Sequence, residues 1–300
     1  MKSGKGKYLS RRGLMKTASV AAAAAALPSL LHGQEAESRR PNVLWIISDD
    51  LNDWLGCYGG HPQVKTPNLD ELAARGMQFS NAHGQYPACG PSRASCLTGK
   101  LPTTLDLFRN RPAAFSNYPA ARDSLTLPRC FRRAGYHALG VGKIYRTSRT
   151  VDMSEEFDLY GSENMGCRRF GPRPHEPFVQ DLDIRGRYWD YGPYPEKNEG
   201  MADHKMGDWA IQQIDRASED RPFFCTVGFY RPHCPFYAPP EWFEKYPVDE
   251  IELPEIKLDD LDDVPELAKQ RWEGKSNSVP VRKLLETGRL RNWVQAYLAC

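Results

Sequence analysis

Three short apolar runs constrain this chain more than any other feature. They are Asn42-Val43-Leu44-Trp45-Ile46-Ile47-Ser48, Tyr136 to Val141, and Pro222-Phe223-Phe224-Cys225-Thr226-Val227-Gly228-Phe229. Continuous runs of this kind fit strands buried on both faces. Helical patterns lie between them. Thr66-Pro67-Asn68 reads as an N-cap and a first-turn proline, opening a helix through Leu69, Leu72 and Ala73 to Gly76. A second helix starts near Thr126-Leu127-Pro128 and ends at Gly135. A third spans Met201 to Arg216, with Met206, Trp209, Ala210 and Ile214 on one face. Met77 to Ala82 alternates as a strand would, Pro239 to Tyr246 reads as a short helix, and Arg289 to Cys300 is helical with no stop signal. Strands alternating with helices predict an α/β fold: a mixed, largely parallel sheet flanked by helices.

Such sheets bind ligands outside the carboxyl ends of their strands, and here the runs empty into reactive residues. The first ends in Asp49-Asp50, the second in Gly142-Lys143, the third in Tyr230-Arg231-Pro232-His233-Cys234-Pro235. Two carboxylates suit a hard divalent cation with oxygen ligands. A lysine, a histidine and an arginine nearby suit an anion. Plainer readings stand beside these. The aspartates could cap a helix, Lys143 could lie on the surface, and His233, held between Pro232 and Pro235, could be structural. Residues 146–200, rich in Gly, Pro, Tyr and charge, read as a functional loop set. Within it Arg187-Tyr188-Trp189-Asp190-Tyr191 could line a sugar pocket or simply pack. His61, His83, His137, His175 and His204 lack ligand spacing and receive no role.

Cys89-Gly90-Pro91-Ser92-Arg93, followed by Ala94-Ser95-Cys96-Leu97-Thr98-Gly99, is the most specific motif. Pro91 is well placed in the first turn of a helix and Gly99 just past its end. Cys89 therefore sits at a helix N-terminus, where backbone N–H groups favour negative charge, with Arg93 one turn on.

The formal net charge, +2 from 40 Lys+Arg against 38 Asp+Glu, gives no footprint for nucleic acid. Residues 1–36 read as a leader. Lys2, Lys5 and Lys7 precede Ser10-Arg11-Arg12-Gly13-Leu14-Met15-Lys16, and an alanine-rich run reaches Leu31. The paired arginines resemble a twin-arginine signal, which implies bacterial export of a folded protein to the periplasm or beyond. The apolar run, broken by Pro28, falls short of the ~20 residues that span a bilayer. Eight cysteines without C-x-x-C spacing read mostly as buried small residues or free thiols, with one disulfide left open.

The stretches Pro41 to Leu51, Leu55-Gly56-Cys57-Tyr58-Gly59, Thr66 to Asp70, Cys89 to Gly99, Val141-Gly142-Lys143 and Arg231 to Phe236 together resemble the sulfatase family of the alkaline phosphatase superfamily. The resemblance is greatest to the bacterial branch similar to iduronate-2-sulfatase. It implies that residues 37–300 form a sulfatase N-terminal catalytic domain that stops before the remaining metal ligands. It implies hydrolysis of sulfate esters on a sulfated carbohydrate. Cys89 would be oxidised to formylglycine by a formylglycine-generating enzyme that reads Pro91 and Arg93. One hydroxyl of the aldehyde hydrate would attack sulfur, and the other would expel sulfate. Asp49, Asp50 and the modified Cys89 would ligate calcium, with magnesium as an alternative. Cys89, Arg93, Lys143 and His233 would be the catalytic set, Lys143 and His233 holding sulfate oxygens or protonating the leaving oxygen. The family usually has a histidine a few residues after the lysine; here Arg146 follows Lys143-Ile144-Tyr145. Two alternatives remain: a phosphonate or phosphate ester hydrolase of the same superfamily, or an inactive chain that binds sulfated glycans.

Overall fold

The computed structural model describes residues 40–109, 115–167, 171–180, 189–273 and 281–300. Residues 1–36, expected to be a leader, lie outside the described residues, as do Arg187 and Tyr188. The fold below is that of the unit Asn42–Cys300.

The three apolar runs become three strands of one sheet: β1 (Val43–Asp49), β2 (His137–Gly142) and β5 (Phe223–Pro232). A two-residue strand, β3 (Leu159–Tyr160), adds to β2, giving the order β1-β5-β2-β3 with every pairing parallel. The helices that carry the argument are α1 (Pro67–Arg75), α2 (Cys89–Thr98), α3 (Leu127–Arg133) and α4 (Ala202–Asp215). Each begins within one or two residues of its sequence expectation. Gly99 ends α2 with φ 66°, the left-handed conformation glycine adopts without a Cβ penalty.

Side chains alternate across a strand, so each face of β2 needs its own cover. Ala138 packs with Ala94 and Leu97 of α2 on one face. Leu139 and Val141 pack with Cys225, Val227 and the Ala202, Met206 and Ala210 stripe of α4 on the other. This two-sided burial is why β2 and β5 read as unbroken apolar runs.

β1 departs from that expectation. Leu44 and Ile46 are 49% and 54% exposed, because they lie in register with Cys225 and Val227 on the face that α4 covers only over β5 and β2. Met77 to Ala82 is not a strand either: Met77 and Phe79 project to solvent, and the segment pairs with no strand among the described residues. Alternation alone does not supply the partner a strand needs.

A second, two-stranded parallel sheet joins β4 (Tyr191–Pro193) to β6 (Phe236–Ala238). It packs with α5 (Pro240–Phe243) and α6 (Leu290–Ala299) around Tyr191, Phe236, Tyr246, Leu290 and Val294. The expected loop set therefore has structure of its own. Asp190 is buried and accepts the backbone N–H groups of Phe178 and Val179 and the hydroxyl of Tyr237. Trp189 packs on Trp293, with ring centroids 5.8 Å apart. For Trp189, Asp190 and Tyr191 the packing reading holds. None of the eight cysteines, all among the described residues, is in a disulfide; Cys225 and Cys234 are buried, while Cys96 and Cys130 are exposed. No helix among the described residues is long and apolar enough to cross a membrane.

Candidate active site

The carboxyl ends of β1, β2 and β5 bring Asp49, Asp50, Lys143 and His233 together, and α2 delivers Arg93 to the same point. The local chain explains each placement. β2 and β5 touch at two glycines: a Cβ on Gly142 would lie 2.2 Å from the Gly228 carbonyl, and one on Gly228 would lie 2.2 Å from that of Lys143. With no side chain at either position, the Lys143 N–H reaches the Gly228 carbonyl at 2.7 Å. At the end of β1 the pairing with β5 slips, Asp49 comes opposite Pro232, and the Ser48 hydroxyl donates to the Arg231 carbonyl at 2.5 Å. Asp50 then takes φ 60°, and its side chain is largely exposed while still reaching toward His233.

Asp49 is the hub. One carboxylate oxygen accepts from Arg93 Nη2 at 2.9 Å and the other from Lys143 Nζ. Arg93 Nη1 also donates to the Lys143 carbonyl and, at 3.3 Å, to that of Ile144. Arg93 thus binds the N-terminal turns of α2 to the ends of β1 and β2. Lys143 is 1% exposed, and its Nζ lies 5.7 Å from the Tyr230 ring centroid. His233 Nε2 lies 3.8 Å from Asp49 Oδ2 and 3.7 Å from Asp50 Oδ2. Its Nδ1 is 2.6 Å from the Cys234 carbonyl; a carbonyl can only accept, so Nδ1 carries the proton and Nε2 presents a lone pair when the ring is neutral.

The electrostatics follow from this packing. Burial by itself would raise the Asp49 carboxyl, but Lys143, Arg93 and His233 more than offset it and hold Asp49 below the ordinary carboxylate range. Burial, reinforced by Lys143, pushes His233 below the usual histidine value against the pull of Asp49.

Cys89 is the first residue of α2 and is half-buried. It lines a cavity of about 420 Å³ together with Asp49, Asp50, Ser92 and Arg93, with Trp45 and Tyr86 among the other walls. Lys143 and His233 stand behind Asp49 and do not line that cavity. Arg146, half-buried beyond Tyr145, does not line it either.

The cluster does not make a complete cation site. Both Asp49 oxygens are engaged by Arg93 and Lys143, the Asp50 side chain is 68% exposed, and calcium takes six to eight oxygens. Among the described residues no group of three His, Cys, Asp or Glu side chains could hold a metal ion.

Tyr297 was not foreseen as part of this site. Its hydroxyl accepts the Asn52 N–H at 2.8 Å and donates to the Asp50 carbonyl at 3.4 Å, so α6 holds the turn that carries Asp50. Nothing in the local sequence marks a contact between residues 50 and 297, which lie 247 positions apart.

The sulfatase family model matches residues 41–291. The chain belongs to the sulfatase family. A sulfatase of Formosa agariphila is 35% identical over 282 residues, covering 89% of this chain and 53% of that protein. Human iduronate 2-sulfatase is 32% identical over 249 residues, covering 77% of this chain and 42% of that enzyme. The chain thus spans about half the length of these family members. Among solved structures, a protein in complex with its substrate D-glucosamine-2-N,6-O-disulfate superposes with TM-score 0.56 at 19% identity, over 87% of this chain and 58% of that one. A phosphonate monoester hydrolase from Silicibacter pomeroyi gives TM-score 0.58 at 21% identity, over 87% and 56%. These last two likenesses establish the sulfatase-like α/β fold.

Proposed function

We propose that this sulfatase-family chain hydrolyses sulfate esters of a carbohydrate, as an iduronate-2-sulfatase-like enzyme, with Cys89 as the precursor of its nucleophile. The observation that carries this is Cys89 at the first turn of α2, opening into the cavity it shares with Asp49, Asp50 and Arg93. Residues 37–300 are the catalytic domain on this reading, and residues 1–36 are a twin-arginine leader that sends the folded protein to the periplasm.

A formylglycine made from Cys89 by the formylglycine-generating enzyme would supply a hydrated aldehyde, with one hydroxyl for attack on sulfur and another for release of sulfate. The chain's own residues do the rest. The helix N-terminus and Arg93 favour negative charge beside Cys89. Lys143 and Arg93 act as positioning residues through Asp49, fixing the carboxylate that walls the cavity. His233, with Nε2 3.8 and 3.7 Å from Asp49 and Asp50, stands outside the cavity and acts on this reading through the two aspartates, as a positioning residue. Asp49 and Asp50 would contribute two of the ligands of a divalent cation, calcium or magnesium. The other ligands are not among the described residues, so no step is routed through the metal.

Peptide mass spectrometry across Cys89, on protein from a bacterial host with the modifying enzyme, tests the nucleophile: an aldehyde is expected, and an unmodified thiol in active protein overturns the assignment. Cys89→Ala is expected to abolish aryl sulfate turnover. The structural likeness to a phosphonate monoester hydrolase keeps one alternative in view, and a preference for aryl phosphonate over aryl sulfate would select it.

A further inference from the structure

A lysine carries its ammonium on a flexible stem, so its position depends on what holds the backbone on either side and what stands beside the tip. β2 ends at Gly142, and on that side the sheet holds Lys143. The other side falls to the turn after β3, a part of the loop set that the reaction described above does not use. The Gly142 N–H donates to the Ser162 carbonyl at 2.8 Å, and the Tyr160 hydroxyl donates to the Gly142 carbonyl at 2.9 Å. Gly161 lies flush on α4, since a Cβ there would stand 2.8 Å from the Trp209 ring. The Ser162 hydroxyl accepts the Asn164 and Met165 N–H groups at 3.2 and 2.8 Å, which closes the turn.

Glu163 extends this brace past Lys143. Its Oε2 accepts the Ser148 N–H at 2.9 Å, the Ser148 hydroxyl at 2.7 Å and the Thr147 hydroxyl at 3.1 Å. Capping does not account for this convergence, because the 148–150 turn already has its cap: the Thr147 hydroxyl accepts the Arg149 N–H. Glu163 Oε1 accepts the Tyr230 hydroxyl at 3.5 Å. Tyr230 is 1% exposed, and its ring is the one that stands 5.7 Å from Lys143 Nζ. Its N–H donates to Asp203 at 2.9 Å, so the ring is held from its backbone and from its tip. One carboxylate thus ties down both the chain that leaves Lys143 and the ring beside its ammonium.

From this geometry we infer that Glu163 is a positioning residue for the candidate active site, fixing where the Lys143 ammonium meets Asp49. Glu163 does not line the Cys89 cavity and acts only through Lys143. Its effect on turnover rests on the proposed function; its effect on Lys143 does not. A displacement of about 1 Å in a group that organises a site can cost about a hundredfold in rate, so a brace of this kind is felt well beyond its own contacts.

NMR of the lysine ammonium protons in the 300-residue chain tests this. Lys143 is 1% exposed with its ammonium on Asp49, so its protons are shielded and give a signal that exposed lysines lose by exchange with water. The signal is assigned by its loss in Lys143→Arg protein. Glu163→Ala should shift it and speed its exchange about tenfold, while Glu163→Gln, which keeps an acceptor for Thr147 and Ser148, should restore most of the parent behaviour. Ser148→Ala and Tyr230→Phe each remove one contact and keep the carboxylate. They should move the signal in the same direction by less, and they carry the test if Glu163→Ala does not fold. Asp158→Asn is the control for destabilisation alone. Asp158 accepts the Ala138 N–H at 3.0 Å at the opposite end of β2, so its loss should lower the melting temperature and leave the Lys143 signal in place. An unmoved signal in the folded variants, an equal shift in Asp158→Asn, or no shielded signal in the parent overturns the inference. In turnover of an aryl sulfate, Glu163→Ala should lower kcat about tenfold and change KM less. A parent without turnover would remove the catalytic reading and leave the brace; lost turnover with an unmoved Lys143 signal would do the reverse.

Discussion

Asp49 and Glu156 are both buried carboxylates, 4% and 3% exposed, and the chain treats them in opposite ways. Asp49 is compensated by charge, from Arg93, Lys143 and His233. Glu156 is compensated by hydroxyls: Thr126 and Tyr145 both donate to one of its oxygens. Burial raises both, but only at Asp49 do neighbouring cations reverse the outcome; Glu156 remains above the ordinary glutamate value. Two hydrogen bonds from neutral groups lower the cost of a buried charge without cancelling it. A cluster of cations more than cancels it and holds a carboxylate below its ordinary range beside the Cys89 cavity. The first arrangement closes a core, while the second maintains a field.

Removing one partner from the Asp49 cluster should break this contrast most severely. Lys143→Met leaves a buried carboxylate without one of its three compensating groups and is expected to cost about 3–5 kcal/mol, read from urea denaturation. A cost under about 1 kcal/mol, typical of exposed pairs, would show that Asp49 is not held as described. Next in size is the acid limb of stability. His233, lowered in the fold, withdraws stability as pH falls below its unfolded value of 6.5. Asp49, also lowered, keeps its contribution above the unfolded value of 3.8 and loses it as pH falls through its folded value. Melting temperature should therefore drop in two stages on acidification, and His233→Gln should remove the upper one.

Glu156 carries the opposite sign. Its raised folded value stabilises below the unfolded 4.5 and is lost as pH rises through the folded value. Glu156→Gln keeps an oxygen for Thr126 and Tyr145, and should leave stability at neutral pH unchanged or higher while flattening its pH dependence. A large loss at pH 7 would place a cation near Glu156 in a greater role than the hydroxyls. The smallest effect belongs to Tyr297→Phe. It removes one acceptor for the Asn52 N–H and should cost about 1 kcal/mol or less in global stability, with faster amide exchange confined to the Asp50 turn.

What could be read from the sequence follows the same divide between local and distant causes. The strand ends at Asp49, Lys143 and His233 were legible because a parallel sheet aligns its carboxyl ends whatever the loops do. The start of α2 at Cys89 and its stop at Gly99 were legible because proline and glycine act within one turn. The exposed face of β1 was not, since a run such as Val43 to Ile47 records which faces could be buried and not how far α4 extends. Met77 and Phe79 alternate correctly but have no strand to pair with. Tyr297 and Asp190 act across the fold, through contacts that leave no local pattern. Arg93 was legible as a cation near Cys89; that its guanidinium would be spent on Asp49 and the backbone after Lys143 was not.

The burial of α2 has a consequence for timing. Pro91 is buried, and Arg93 is held at 6% exposure by Asp49 and two carbonyls. On the reading that a modifying enzyme recognises Cys89 through these two residues, it meets its recognition sequence only in a chain that has not yet closed. Maturation and folding then compete for the same segment: the oxidation comes first or not at all, and an export route that accepts folded protein would carry out whichever outcome the cytoplasm had reached.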